Sequence, residues 1–269
     1  MRIALISDIH GNALALDAVL QDIARRGGVD ATWFIGDYCA LGPDPVAVLE
    51  RITALPDAVF VRGNTDDYTV TDHRPPPTPE QALTEPELLP KLLEVASSFA
   101  WTCGGITAHG WFDWLADLPI EQRMTLPDGT RVLLVHAEPG RFGGPGISLH
   151  TTDEDLAARL AGCEADLVVV GHIHWPQDRV AGGVRLVNPG SVSNAPAADL
   201  RASYAVIEAD ESGHQITFHR VEYDLEAAIA AVRAVHHPVS DFLIHFLEGK
   251  WTPPWLDAIN NTPYTPDVV

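Results

Sequence analysis

Ile3-Ala4-Leu5-Ile6-Ser7-Asp8-Ile9-His10-Gly11-Asn12 begins two residues into the chain. Residues 2–7 form an apolar run that predicts a buried strand, and Asp8 and His10 stand just past its end. In extended backbone, residues two apart point to the same side, so both side chains can converge on one ion. Between Asn12 and Arg26 the apolar positions Leu14, Leu16, Val19, Leu20 and Ile23 follow helical spacing, and Gly27-Gly28 ends that helix. Ala31 to Ile35 reads as the next strand, Pro45 to Thr53 as a helix and Ala58 to Val61 as a third strand. Strand and helix alternating at this rhythm imply a parallel sheet with helical crossovers.

Polar residues recur at the strand ends. Asp37 follows Gly36 after the second strand, and Asn64 follows Gly63 after the third. Further on, Val132-Leu133-Leu134-Val135 ends in His136, and Val168-Val169-Val170-Gly171 ends in His172, with His174 two residues later. A lone histidine after a strand is ordinary. Seven nitrogen- and oxygen-bearing residues at five strand ends form a pattern, and the carboxyl ends of strands are where α/β sheets build sites. A mixed N/O donor set with no thiolate suits Mn, Fe, Zn or Ni better than Ca or Mg.

The middle of the chain is less regular. Asp72 to Pro90, with Pro75-Pro76-Pro77 and Pro79, reads as a loop, followed by helices between about 88 and 118. Asp128-Gly129 signals a hairpin between 123–126 and 130–136. A short helix is expected over 153–161 and strands over 166–170, 178–187, 203–208 and 214–222. Helices at about 224–236 and 240–249 make a helical C-terminal segment, about 224–250, before a Pro-rich tail, 252–269. No repeat or linker divides the chain, so residues 1–269 are expected to form one domain. A parallel-leaning first half and a hairpin-rich second half suit two mixed sheets packed face to face, with helices outside.

The chain has 269 residues, of which 46% are hydrophobic, enough for a substantial core. No stretch approaches the ~20 apolar residues of a membrane helix. The N-terminal apolar run is too short for a signal-peptide core. Cys39, Cys103 and Cys163 are odd in number and widely spaced, which fits free thiols and a cytoplasmic protein. With 17 basic against 37 acidic residues, the net charge of −20 argues against nucleic-acid polymers and anionic membranes as partners. A small phosphate substrate remains compatible, because bound cations reverse the potential locally. Composition leaves the oligomeric state open.

Asp8-Ile9-His10-Gly11-Asn12, Gly36-Asp37, Gly63-Asn64, His136 and Gly171-His172-Ile173-His174 resemble, in order and spacing, the motifs of calcineurin-like metallophosphoesterases. Asn188-Pro189-Gly190-Ser191-Val192 and Arg201-Ala202-Ser203-Tyr204 resemble segments of small bacterial members, so the likeness runs from residue 1 to about 222. The resemblance implies a four-layer α/β/β/α sandwich and two divalent transition-metal ions, Mn first among them. By the same resemblance, one ion takes Asp8, His10, Asp37 and His174. The other takes Asp37, Asn64, His136 and His172, with Asp37 as the bridge. A water held between such ions ionises near neutral pH and attacks phosphorus in line. His10, Asp37, Asn64 and Thr65 are thus the candidate catalytic residues.

Two positions depart from the family pattern. Ala137 follows His136 where small members usually carry Gly; His109-Gly110 offers that dipeptide earlier, but in a helix-rich, Trp-rich stretch. Thr65 stands where many members carry a histidine that contacts the phosphate and assists the leaving group, and a threonine is no general acid near neutral pH. Candidate substrate contacts are Arg74 in the proline-rich loop, and Arg141 and His150 beside Gly143-Gly144-Pro145-Gly146; surface roles suit all three equally well. Asn188 to Ser191 either lends backbone amides to the site or is a strand-end turn. Trp101, Trp111 and Trp114 are expected to pack helices, while Trp175 is a candidate pocket wall. The reading favoured is a phosphodiesterase on small soluble substrates. Its alternatives are a phosphomonoesterase or protein phosphatase, a dinucleoside polyphosphate hydrolase and, from another class, a non-catalytic metal-binding scaffold module.

Overall fold

Alternation along two buried strands generates the layers. In β1 (Arg2–Ile6), Ala4 and Ile6 face one core while Ile3 and Leu5 face another. In β5 (Arg131–Val135), Val132 and Leu134 share the core of Ile3 and Leu5, while Leu133 and Val135 face a third. Side chains of a strand point to opposite faces in turn, so strands that are apolar throughout must be covered on both sides. Three stacked cores separate four layers.

The computed structural model describes residues 1–195 and 199–250. In the first sheet β1 pairs in parallel with β2 (Ala31–Phe34), which pairs in parallel with β3 (Ala58–Phe60). On its other side β1 pairs antiparallel with β9 (Ala202–Asp210), and β10 (Gly213–Val221) pairs with β9 at the edge. The second sheet runs β4 (Glu121–Thr125), β5, β6 (Leu167–Val169), β8 (Val184–Asn188) and β7 (Gln177–Ala181). Leu16, Val19 and Ile23 of α1 (Ala13–Arg25) and Val48, Leu49 and Ile52 of α2 (Pro45–Thr53) cover the first sheet. Leu156 and Leu160 of α7 (Asp153–Leu160) cover the second. This is the α/β/β/α sandwich of two mixed sheets that the sequence implied.

Between the sheets the chain makes α3 (Asn64–Val70), α4 (Pro79–Thr84), α5 (Leu89–Ala108) and α6 (Phe112–Ala116). The expected loop from Asp72 to Pro90 therefore holds α4 and a 3₁₀ turn at Pro86–Leu88. Thr78 caps α4 in a reciprocal capping box with Gln81, a signature written in the sequence as Thr-Pro-Glu-Gln. The single strand expected over 178–187 is instead the hairpin of β7 and β8. Gly182 and Gly183 both have positive φ there, the backbone that a two-residue hairpin turn demands. At the C-terminal end, Ile229 and Val232 of α8 (Leu225–Ala234) pack against Leu243 and Leu247 of α9 (Ser240–Leu247). The Pro-rich tail from 252 lies outside the described residues.

The core between the sheets holds the first-sheet strand ends against those of the second. Leu5 is fully buried in it. Leu5→Ala is expected to lower unfolding stability by about 2–5 kcal/mol in urea titrations. A change within error of zero would mean that the sheets are not held together through this face.

Candidate metal centre

The strands β1, β2, β3, β5 and β6 bring their carboxyl ends to one place, and backbone hydrogen bonds lock the loops that leave them. Asp8 N–H donates to Gly36 O (3.1 Å), and His10 N–H to Asp37 O (3.0 Å). Gly171 N–H donates to His136 O (2.8 Å), and His172 N–H to the Asp8 carboxylate (3.1 Å), which joins the two sheets. Asp8, His10, Asp37, His172 and His174 all sit in left-handed backbone, φ between 49° and 71°. Non-glycine residues there carry a cost of order 1–3 kcal/mol each and cluster at functional sites. Two glycines make the approach possible. A Cβ on Gly63 would strike the carboxylate and backbone of Asp37, and one on Gly171 would strike Ser7 Oγ and Asp8.

The seven side chains meet in one cluster, in which Asn64 and His172 are half-buried and the other five buried. His10 Nε2 lies 3.1 Å from His174 Nε2 and 3.8 Å from both Asp8 Oδ1 and Asp37 Oδ2. His174 Nε2 is 3.2 Å from Asp8 Oδ1, and His136 Nε2 is 3.3 Å from Asp37 Oδ2. Asn64 Oδ1 lies 3.2 Å from His136 Nε2 and 2.7 Å from His172 Nδ1. The far nitrogen of each ring donates to a main-chain carbonyl: His10 Nδ1 to Ala40, His136 Nδ1 to Ile35, His174 Nδ1 to Asn194 and His172 Nε2 to Gly144. These bonds fix the tautomers and turn the remaining nitrogens inward, the arrangement that metal-binding histidines use.

The inward-facing atoms lack enough donors of their own. Asp8 Oδ1 is fully buried and has no hydrogen-bond partner, although a bare carboxylate oxygen in the interior is costly. His172 meets an acceptor oxygen at each ring nitrogen, Asn64 Oδ1 at 2.7 Å from Nδ1 and Gly144 O at 2.8 Å from Nε2, and a neutral ring has a proton for only one of them. Burial lowers the pKa of His10 to about 4, so this ring is neutral. Burial also works against charge on His136, but the Asp37 and Asp8 carboxylates override it and push its pKa up to about 10. His174 is raised in the same way, burial again opposing and Asp8 prevailing. Burial alone would raise Asp8 and Asp37, yet the histidines hold both below their ordinary range. The cluster therefore requires positive charge, and a cation meets that need as a proton does. Donor atoms of Asp8, His10 and His174 lie within 4.8 Å of one another, as do those of Asp8, Asp37 and His136. These residues could hold two divalent ions, with Asp8 common to the two groups.

A supporting residue escaped the sequence reading. Asp66 accepts from the backbone N–H groups of Asp37 (2.8 Å), Tyr38 (2.9 Å) and Gly63 (3.0 Å), tying the β2 and β3 strand ends together. Burial and the Asp37 charge raise its pKa to about 7. Its signal was present: an acid three residues past Gly63 closes a helix N-terminus. Residues 188–194 support the site from behind. Within Asn188 to Ser191, Gly190 N–H donates to Asn188 Oδ1 (2.9 Å) and Pro189 has no N–H, while the following Val192 and Ser193 donate theirs to Ser7 O and Asp8 O.

Thr65 N–H donates to Asp37 Oδ1 (2.9 Å), and its buried hydroxyl has no partner. Thr65, His10, Asp37, Asn64, His172 and His174 border a cleft of about 600 Å³. None of the three candidate substrate contacts lines the cleft. Arg74 donates to the carbonyls of Tyr68 and Thr71 (2.7 Å each), capping the end of α3, and its guanidinium lies 5.7 Å over the ring of Phe99, which lines the cleft together with Pro75 and Pro76. Arg141 is exposed and pairs with Glu138 (3.3 Å), and His150 is exposed in a turn. Neither lines the cleft, nor does Trp175. His109 is exposed at the end of α5, bonded to Gly105 O. Trp111 and Trp114 pack against the helix-side core of the first sheet.

A family model described as the calcineurin-like phosphoesterase superfamily domain matches residues 1–212. An uncharacterized protein of Methanocaldococcus jannaschii is 30% identical over 243 residues, 84% of this chain and 89% of that protein. The symmetrical bis(5'-nucleosyl)-tetraphosphatase of Cronobacter sakazakii is 41% identical, but over only 63 residues, 23% of this chain and 22% of that enzyme. Among solved structures, a metallophosphoesterase from Sphaerobacter thermophilus superposes with a TM-score of 0.69 at 28% identity, covering 93% of this chain and all of that one. A hypothetical protein from Pyrococcus horikoshii shares the fold with a TM-score of 0.77 at 21% identity, covering 94% and 99% of the two chains.

Two outcomes test this geometry. Asp66→Asn replaces a three-fold acceptor by an amide that must turn a donor toward one N–H group. Transition-metal affinity, read against a competing chelator, should fall about 10–100-fold; an unchanged affinity would mean that the loops hold themselves. The second outcome concerns pH. With its pKa raised to about 10, metal-free His136 holds a proton across the neutral range that an incoming ion must expel. Apparent affinity should therefore rise from about pH 6 to about pH 9, and a flat profile would contradict this charge assignment.

Proposed function

Because the chain belongs to the calcineurin-like phosphoesterase superfamily, we propose that it hydrolyses phosphate esters with two divalent transition-metal ions, and that small phosphodiesters are its preferred substrates. The observation that carries this reading is the clustered set of Asp8, His10, Asp37, Asn64, His136, His172 and His174, five of them buried, with its unpartnered carboxylate oxygen, opening into a cleft. Its N/O donors suit Mn, Fe, Zn or Ni, and family resemblance puts Mn first. Bound at these residues, the ions would supply Lewis acidity and water ionised near neutral pH.

The chain's own groups position the substrate. Backbone bonds to Ile35, Ala40, Gly144 and Asn194 hold the four imidazoles in place without further reorganisation. Thr65 borders the cleft, and its buried hydroxyl has no hydrogen-bond partner. It offers no readily transferred proton. Tyr68, also on the cleft, is raised above its ordinary pKa by burial and by the Asp37 and Asp67 charges, so it is a poor acid. Monoesters of poor leaving groups thus lose general acid catalysis, typically worth ~10²–10⁴-fold. The small side chain at position 65 also leaves room for a second ester substituent. Both effects favour diesters and activated leaving groups. Among the described residues no helix is long and apolar enough to cross a membrane. The net charge of −20 adds to a reading of small soluble substrates in the cytoplasm. The short tetraphosphatase match makes a dinucleoside polyphosphate the second reading, one that also requires cleavage at phosphorus.

Chelation is expected to abolish hydrolysis and Mn²⁺ to restore it, with roughly two ions per chain by elemental analysis. Wild-type kcat/KM should be higher for bis-p-nitrophenyl phosphate than for p-nitrophenyl phosphate, and Thr65→His should narrow that ratio. An enzyme clearly better on the monoester would overturn the diester preference.

A further inference from the structure

The cleft continues well beyond the metal-binding side chains, and its outer part is built from aromatic rings. On α9, Phe246 lies 5.8 Å from the His10 ring and 5.7 Å from the His174 ring, centroid to centroid. Phe242, one helical turn earlier, stacks on Phe246 at 5.7 Å and 20°. Lys91 Nζ of α5 sits 4.9 Å over the Phe242 ring and 3.3 Å from Glu94, toward solvent. The rings thus form a ladder leading outward from the histidines. On the opposing wall Tyr68 of α3 meets Phe99 of α5 edge to face at 5.5 Å. A phosphate bound at the histidines would fill only the inner end.

Lys91 and Glu94 carry polar groups at the solvent end of this wall, and the rings supply its apolar part. An aromatic ring gains edge and face contacts with Phe242, Phe246, Phe99 and Tyr68 beyond the area it buries, a gain that a saturated chain does not make. We propose that this aromatic cleft receives the organic substituent of the phosphate ester, and that the substituent is an aromatic or heteroaromatic ring. The proposal rests on the phosphoesterase reading and adds the chemical class of the ester group.

The test uses the full-length, Mn²⁺-loaded protein and isothermal titration with methyl-, hexyl- and phenylphosphonate, which are not hydrolysed. Phenylphosphonate is expected to bind about tenfold more tightly than methylphosphonate, and more tightly than the hexyl compound. Phe242→Leu keeps apolar bulk and removes the ring, and Phe99→Ala opens the opposite wall; each should shrink the phenyl-over-methyl ratio while leaving methylphosphonate affinity unchanged. Chelator-sensitive hydrolysis and metal content are measured on the same preparations. Equal binding of all three phosphonates by an active enzyme overturns the cleft assignment and leaves the phosphoesterase reading standing. Hexylphosphonate binding as tightly as phenylphosphonate overturns the aromatic assignment. No phosphonate binding, no metal and no hydrolysis together overturn both readings.

Discussion

Two carboxylates, Asp8 and Asp37, are buried at the carboxyl ends of adjacent strands, and neither can remain there ionised without positive charge beside it. The surrounding structure answers that constraint. Four imidazoles reach the carboxylates from both sheets, and each turns its far nitrogen to a main-chain carbonyl. Without a cation, the proton on His136 supplies charge, and the Asp8 carboxylate raises His174 in the same direction. A divalent ion would replace protons at the same positions, which couples metal binding to proton release.

Holding these groups together demands backbone that the chain would not choose on its own. Left-handed φ values at five of the seven cluster residues are tolerated because apolar strands on both sides leave the loops nowhere else to go. Gly63 and Gly171 allow backbone to pass where a side chain would collide with Asp37 or Asp8. Asp66 then binds the strand-end loops into one unit through three amides. Strain in the loops and rigidity in the sheets are thus parts of one arrangement, in which the cores over-determine the position of each strand end.

Much of this was legible in the sequence because burial on both faces leaves a strong local trace. Continuous apolar runs such as 132–135 announce strands, and polar residues directly after them announce where those strands stop. The layer count, the two mixed sheets and the convergence of the seven strand-end residues follow from that pattern. What escaped reading depended on partners distant in sequence or on turns hidden in apolar context. Gly182-Gly183 splits an expected strand into a hairpin, a fact that strand periodicity conceals. Arg74 looked available to a phosphate, yet folding sets it on the last carbonyls of α3, a partner no local spacing reveals. Asp66 reads as an ordinary helix-start acid, and only the fold brings it to the amides of Asp37 and Tyr38.

The family match ends at residue 212, and the seven clustered side chains all lie before it. Phe242 and Phe246 lie after it, on α9, which Leu243 and Leu247 anchor to α8. Phe99 and Tyr68 come from the helices between the two sheets' strands, in the segment whose sequence was least regular. The cleft wall is therefore assembled from elements outside the sheets, whereas the cation-demanding cluster is built into the strand ends. Changes in α5 or α9 can reshape the wall without touching the backbone bonds that orient the imidazoles. That division gives a physical reason why a shared fold transmits a reaction centre more faithfully than a substrate. The centre is bound to the register of two sheets, while the wall needs only helices that pack over it.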